Sequence, residues 1–258
     1  MKKILLVTCS ILVAAVAAGQ APIDIPVEKK ASAREQIESA LPLIRSIERA
    51  KDPSEKQLAM LKALSQLEVV PRAWPHDREA IFRAGLLEAD VFARNNSPRN
   101  ALEVLDRIEA AAVRPTQKLQ IAGIRGAALT KLGRVDEAAA VFETALAMRV
   151  EAPRDRMPIL TDAATFYFFQ KRNAELSRVL RESAALDPSP LSAAMSIVQS
   201  LEANMRNGNL SEARKDYADL AERYERLQRL PVAPFGGGEA AALRDIRDAL
   251  DRFRSLSS

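Results

Sequence analysis

A recurring pair of residues constrains this chain more than any other feature. A small or apolar residue stands at Ala101, Ala138, Leu176 and Ala213, at intervals of 37, 38 and 37 residues. Four positions after each comes a large apolar residue: Leu105, Phe142, Leu180 and Tyr217. Five positions before each comes a turn residue: Asn96, Gly133, Lys171 and Gly208. Twelve positions before come Ala89, Gly126, Ala164 and Leu201. Residues four apart share one face of a helix. The small one lets two helices approach closely, and the large one fills the space against the next element. The turn residue ends the helix before. The repeating unit is therefore a pair of helices that buries its apolar face on its neighbours.

The punctuation between the repeats agrees. Ser32 with Glu35 forms a capping box. Asp52-Pro53-Ser54-Glu55 repeats that logic with proline at the first helical position. Ser97-Pro98 and Ser189-Pro190 resemble it, and Asn173 and Asn209 stand as N-caps. These signals predict helices over 32–50, 54–69, 77–95, 98–111, 116–132, 135–149, 156–171, 174–186, 190–207, 210–228 and 239–255. Ala, Leu, Glu and Arg dominate these stretches, and all are strong helix formers. The loops are short, which makes successive helices antiparallel neighbours.

The units resemble the tetratricopeptide repeat (TPR) family. Leu119 to Ala152 matches best, with Gly126, Leu129, Gly133, Ala138, Phe142 and Ala145 at the motif's small, aromatic and turn positions. The unit from Met157 matches through Ala164, Tyr167 and Asp187-Pro188 and departs at Leu176 and Ser183. The unit from Ala194 matches through Gly208, Ala213 and Tyr217 but has Asn204 where an aromatic is usual. The resemblance spans about Asp77 to Gln228. Its spacing exceeds the family's ~34 residues, which implies longer helices or loops. The resemblance implies an all-α fold, an α-solenoid of antiparallel helix hairpins (a TPR-like superhelix).

The ends have their own grammar. Lys2 and Lys3 precede an uncharged apolar run from Ile4 to Ala18, followed by small residues through Gly19. That is the pattern of a signal peptide over 1–19. The run is shorter than the ~20 residues of a membrane span, although an uncleaved anchor is the alternative reading. Cleavage implies a chain carried across the inner membrane, with the periplasm as its destination and no membrane span left. Residues 20–30 read as a flexible leader, 31–230 as the repeat domain and 231–238, PVAPFGGG, as a linker. In 239–258, Leu243, Ile246, Leu250 and Phe253 form one apolar stripe. That stripe suits a C-terminal capping helix on the last hairpin, or a helix that docks elsewhere.

Chemistry is sparse. The single cysteine, Cys9, falls inside the apolar run of the signal-peptide pattern, so the mature chain is expected to have no thiol for a disulfide or a metal. The only histidine, His76, sits between Pro75 and Asp77 at a helix start. Zinc rarely accepts carboxylates alone. Gly236-Gly237-Gly238 lacks the lysine and the setting of a phosphate loop. The expectation is a chain that is not an enzyme and holds no cofactor or metal. The net charge is +4, or +2 without Lys2 and Lys3, too weak a balance to point to nucleic acid.

Binding remains. The TPR resemblance implies that the first helix of each hairpin lines a concave groove. Its inward positions include Thr130, Lys131, Thr165, Phe168, Phe169, Glu202, Met205 and Arg206. Four consecutive aromatics, Phe166 to Phe169, circle one turn of helix and cannot share one buried face. Tyr167 is the family's packing position, so Phe168 and Phe169 are the candidates for exposure; the alternative is that the next hairpin covers them. Gly123 and Ala127 stand where some members clamp a terminal carboxylate, so that clamp is absent. The expected function is an exported scaffold that binds a peptide or protein, within a cell-envelope assembly. The alternative is an accessory subunit of an envelope or cell-wall enzyme whose groove holds a glycan or peptide. The sequence leaves the oligomeric state open.

Overall fold

The computed structural model describes residues 6–10, 24–229 and 237–257. Among them are eleven α-helices and one two-stranded ribbon. The helices are α1 (Ala33–Arg49), α2 (Pro53–Ala73), α3 (Arg78–Arg94), α4 (Pro98–Ile108), α5 (Pro115–Lys131) and α6 (Val135–Leu146), then α7 (Met157–Phe169), α8 (Asn173–Leu186), α9 (Pro190–Arg206), α10 (Leu210–Gln228) and α11 (Gly237–Ser257). The all-α class and the sequence of hairpins stand as the repeat spacing requires. The largest boundary difference is α2, which runs through Pro71 to Ala73 rather than stopping at 69.

The caps hold with two exceptions. Side chains of Ser32, Asp52, Asp77, Ser189 and Asn209 accept from the backbone N–H three residues on, at 3.0–3.3 Å. Ser97 makes no such bond, and Asn173 is the first helical residue rather than the cap. Arg172 takes the cap position, and its guanidinium bonds Glu175.

All four repeat turn residues have left-handed backbone: Asn96 (φ 58°), Gly133 (φ 73°), Lys171 (φ 56°) and Gly208 (φ 70°). After each, the next N–H reaches back five residues: Ser97 to Phe92 O, Arg134 to Leu129 O, Arg172 to Tyr167 O and Asn209 to Asn204 O, at 2.9–3.0 Å. This bond closes a Schellman motif and satisfies a carbonyl the ending helix would otherwise orphan. The same device at the same spacing makes four equivalent joints. Lysine has no advantage in this conformation, which costs an L-residue about 1–2 kcal/mol. Lys171→Gly is therefore expected to stabilise the protein by about 1 kcal/mol, and Gly133→Ala to destabilise it by a similar amount, read from denaturant melts.

The region read as one repeat domain divides into two compact units, residues 1–141 and 142–258, with the boundary inside α6. In the first, α1 to α5 pack in sequence, with Leu64, Phe82, Ala89, Phe92, Leu105 and Ile108 in the core. A Cβ on Gly85 would lie 2.3 Å from Ile108 Cγ2, so α3 and α4 approach as closely as the missing side chain permits. Glu88 is buried beside them and pairs with Arg107 at 2.7 Å. Burial pushes its carboxyl above the usual range, against the pull of Arg107 and with a push from Glu68.

The ribbon belongs to the first unit. β1 (Leu6–Ser10) pairs antiparallel with β2 (Asp24–Glu28), Leu6 opposite Glu28 and Ser10 opposite Asp24. An ordered strand at 24–28 departs from the flexible leader expected over 20–30. Its anchors lie far along the chain, which is why no local signal announced it. Val27 is buried, the Lys29 ammonium sits 5.1 Å from the Trp74 ring centre, and the Lys30 N–H donates to Gln36 Oε1. The remainder of the 1–19 segment lies outside the described residues.

In the second unit, α7 to α10 form two hairpins with α8 against α9. α11 lies on α9 and α10, burying Ile246, Ala249, Leu250 and Phe253. Phe253 stacks on Tyr217 with ring centres 5.0 Å apart. α11 thus caps the last hairpin. It begins at Gly237, inside the expected 231–238 linker, of which residues 231–236 lie outside the described residues.

Candidate functional site

The sequence of α7 leaves two rings with nowhere to go. Phe166 and Tyr167 turn into the core, where Phe166 meets Phe142 at 5.1 Å between ring centres. The Tyr167 hydroxyl donates to Glu143, which also accepts from Arg178. Burial, and then the bond to that carboxylate, push the Tyr167 hydroxyl well above its ordinary pKa. Phe168 and Phe169 face outward, 51% and 72% exposed, and meet edge to face at 5.5 Å. The next hairpin does not cover them.

They stand at one end of a groove of about 540 Å³ between α7 and α9, floored by α8. Leu160, Ala164, Leu176 and Leu180 make its apolar base. Thr161, Thr165, Ser192, Ser196 and Gln199 line its sides. Thr161 and Thr165 donate their hydroxyls back to Met157 O and Thr161 O, so each offers a groove ligand an acceptor. Glu202 and Arg206 flank the aromatic end, with the Arg206 guanidinium 6.0 Å from the Phe168 ring centre. At the opposite end Asp187 accepts from the Ser189 N–H at 2.8 Å and the Ser192 hydroxyl at 2.5 Å.

Thr165, Phe168, Phe169, Glu202 and Arg206 therefore line one groove. Met205 does not. It packs, partly buried, against the core that α9 shares with α10 and α11, because those two helices cover that side of α9. Thr130 and Lys131 lie on α5 in the first unit, where Lys131 donates to Ala93 O and Thr130 to Gly126 O. Both groups are engaged in local contacts of that unit.

Behind the groove is a buried polar network that the sequence pattern does not reveal. Asp216 on α10 accepts from Ser200 Oγ and Asn204 Nδ2 on α9, both at 2.7 Å, and from Arg181 Nε on α8 at 2.5 Å. Ser177 on α8 joins through Ser200 at 2.8 Å and Asn204 at 2.7 Å. Arg181 also reaches Glu212. Asn204 thus occupies the usual aromatic position because it is the hub between three helices. The signal in the sequence was that departure itself.

His76 is exposed. Among the described residues no group of three or more His, Cys, Asp or Glu side chains is placed to hold a metal, and no helix is long and apolar enough to cross a membrane.

No family model and no curated protein matches the chain. Among solved structures it is similar to the MamA RS-1 ArsTM double mutant, at 18% identity over 76% of this chain and 98% of that one, with a TM-score of 0.46. The fold assignment stands on this chain's own hairpins and their four equivalent joints.

Proposed function

We propose that this protein is a scaffold that holds a peptide segment of a protein partner in the groove between α7 and α9. One observation carries the reading: Phe168 and Phe169 are held exposed at the mouth of a groove with an apolar floor, while their two neighbours are buried. Exposed, rigidly positioned aromatics beside an arginine have the composition of binding hot spots. Groove side walls with hydroxyls and an amide suit the main chain of an extended segment.

The start of the sequence supports export. Lys2 and Lys3 followed by the apolar run to Ala18 is a signal-peptide pattern, and the reading places the mature protein in the periplasm, in service of an envelope assembly. Cleavage after residue 19 would remove β1, leaving β2 against α2 with Val27 buried, Lys29 over the Trp74 ring and the Lys30 N–H on Gln36 of α1. N-terminal sequencing of the protein recovered from the periplasm tests this, a mature start near residue 20 being the expected result.

A photo-crosslinker installed at Gln199 should capture a protein partner in the envelope fraction. Phe168→Ala with Phe169→Ala should abolish that capture. The same pair should change the melting midpoint little, since exposed substitutions usually stay within about ±0.5 kcal/mol each. Capture unaffected by the double change would place the interaction elsewhere.

A further inference from the structure

We infer that the segment held in this groove carries an acidic side chain next to its apolar anchor, with the acid at the Phe168 end. This rests on the groove reading above and adds the chemistry of the occupant.

Positive charge outweighs negative at the aromatic end of the groove. Glu202 is the carboxylate lining the aromatic end, and it is claimed by Arg252 of α11 at 2.7 Å. Arg206 is left 3.9 Å from the same carboxylate, donating its Nε to the Glu202 backbone carbonyl at 3.1 Å. The terminal nitrogens of Arg206, whose side chain is half exposed, are thus largely unspent. Lys171 follows Phe169 by two residues, is exposed, and has no ion-pair partner among the described residues. Its left-handed backbone is fixed by the N–H bond to Phe168 O, which holds it at the same joint. Two arginines share one carboxylate beside the two exposed rings, and Lys171 adds a third cation at the joint that follows them.

The other end has the opposite sign. Asp187 already receives two donors there and would repel a second carboxylate. The groove is therefore polarised along its length. An acid beside the anchor at the aromatic end gains from Lys171 and Arg206, and a basic residue there loses. Arg252 is a positioning residue in this scheme. It lies on the capping helix and acts by holding Glu202 away from Arg206. Without it Glu202 would neutralise the cation meant for the ligand.

Selection from a random-sequence peptide display library on the full-length protein tests the inference. The expected enrichment is an apolar anchor flanked by Asp or Glu. Selected peptides should lose about tenfold in affinity to Arg206→Glu or to Lys171→Glu, and the loss should shrink with added salt. Arg252→Gln should weaken acidic peptides while leaving a neutral-flanked version of the same peptide unchanged. Enrichment of basic flanks, or of anchors with no charge bias, on a groove still sensitive to Phe168→Ala with Phe169→Ala would overturn this inference and leave the groove reading intact. If no peptide is enriched, or enriched peptides bind the double alanine variant equally well, the groove reading falls and this inference with it.

Discussion

Asp216→Ala is expected to cost about 3 kcal/mol of stability, the lower part of the range for breaking a buried charged contact. The residue is 2% exposed and is the acceptor on which three helices converge. Truncation would leave Ser200, Asn204 and Arg181 aimed at a hole, and an unpaired buried donor costs about 1–3 kcal/mol. Two circumstances keep the loss from being larger. Ser200 and Asn204 retain Ser177, and Arg181, 31% exposed, retains Glu212 and some access to water. Asp216→Asn keeps an acceptor in place and should cost clearly less. Denaturant melts give the totals, and amide exchange should show protection lost first in α8, α9 and α10. A loss under about 1 kcal/mol for the alanine variant would show that the network is ornamental and apolar packing alone sets the geometry of the groove.

Phe142→Ala should be comparably severe, about 3–5 kcal/mol, the usual cost of emptying a buried phenylalanine site. Its ring is 1% exposed and lies against Phe166. The neighbouring Ala138 and Ala145 on the same face are fully buried and too small to collapse into the void. The useful control is Phe169→Ala, the same chemical change at a ring that is 72% exposed, where little stability should be lost. Thermal or denaturant melts of the two variants side by side check the pair. Equal losses would mean that Phe169 is covered in solution, which would close the mouth of the proposed groove.

That contrast marks the limit of what the sequence discloses. The order of the helices, most of their caps and the four joints were legible from the residues alone. Each depends on partners within about five positions: a side-chain oxygen and an N–H three residues on, or a left-handed residue and a carbonyl five back. The alternation of Ala138 with Phe142, and of Ala213 with Tyr217, was legible for the same reason, because the helix places residues four apart on one face. The stripe of Ile246, Leu250 and Phe253 announced an amphipathic helix, and its seat on α9 and α10 settles it as the cap.

Of the candidate site, the sequence located the right turn of the right helix. It showed that four successive aromatics cannot all be buried, but it could not place Met205 against the core, nor show that Lys131 reaches Ala93 O on α3. The tertiary structure alone decided these, together with the Asp216 hub, the β2 strand against α2 and the claim of Arg252 on Glu202. The physical reason is common to all of them. Each is a contact between helices or strands whose partners are separated by anything from a dozen to fifty residues, as Asn204 is from Asp216 and Glu202 from Arg252. No periodicity within one helix carries that information. It exists only once the hairpins have packed and fixed which polar groups meet and which rings are left in water.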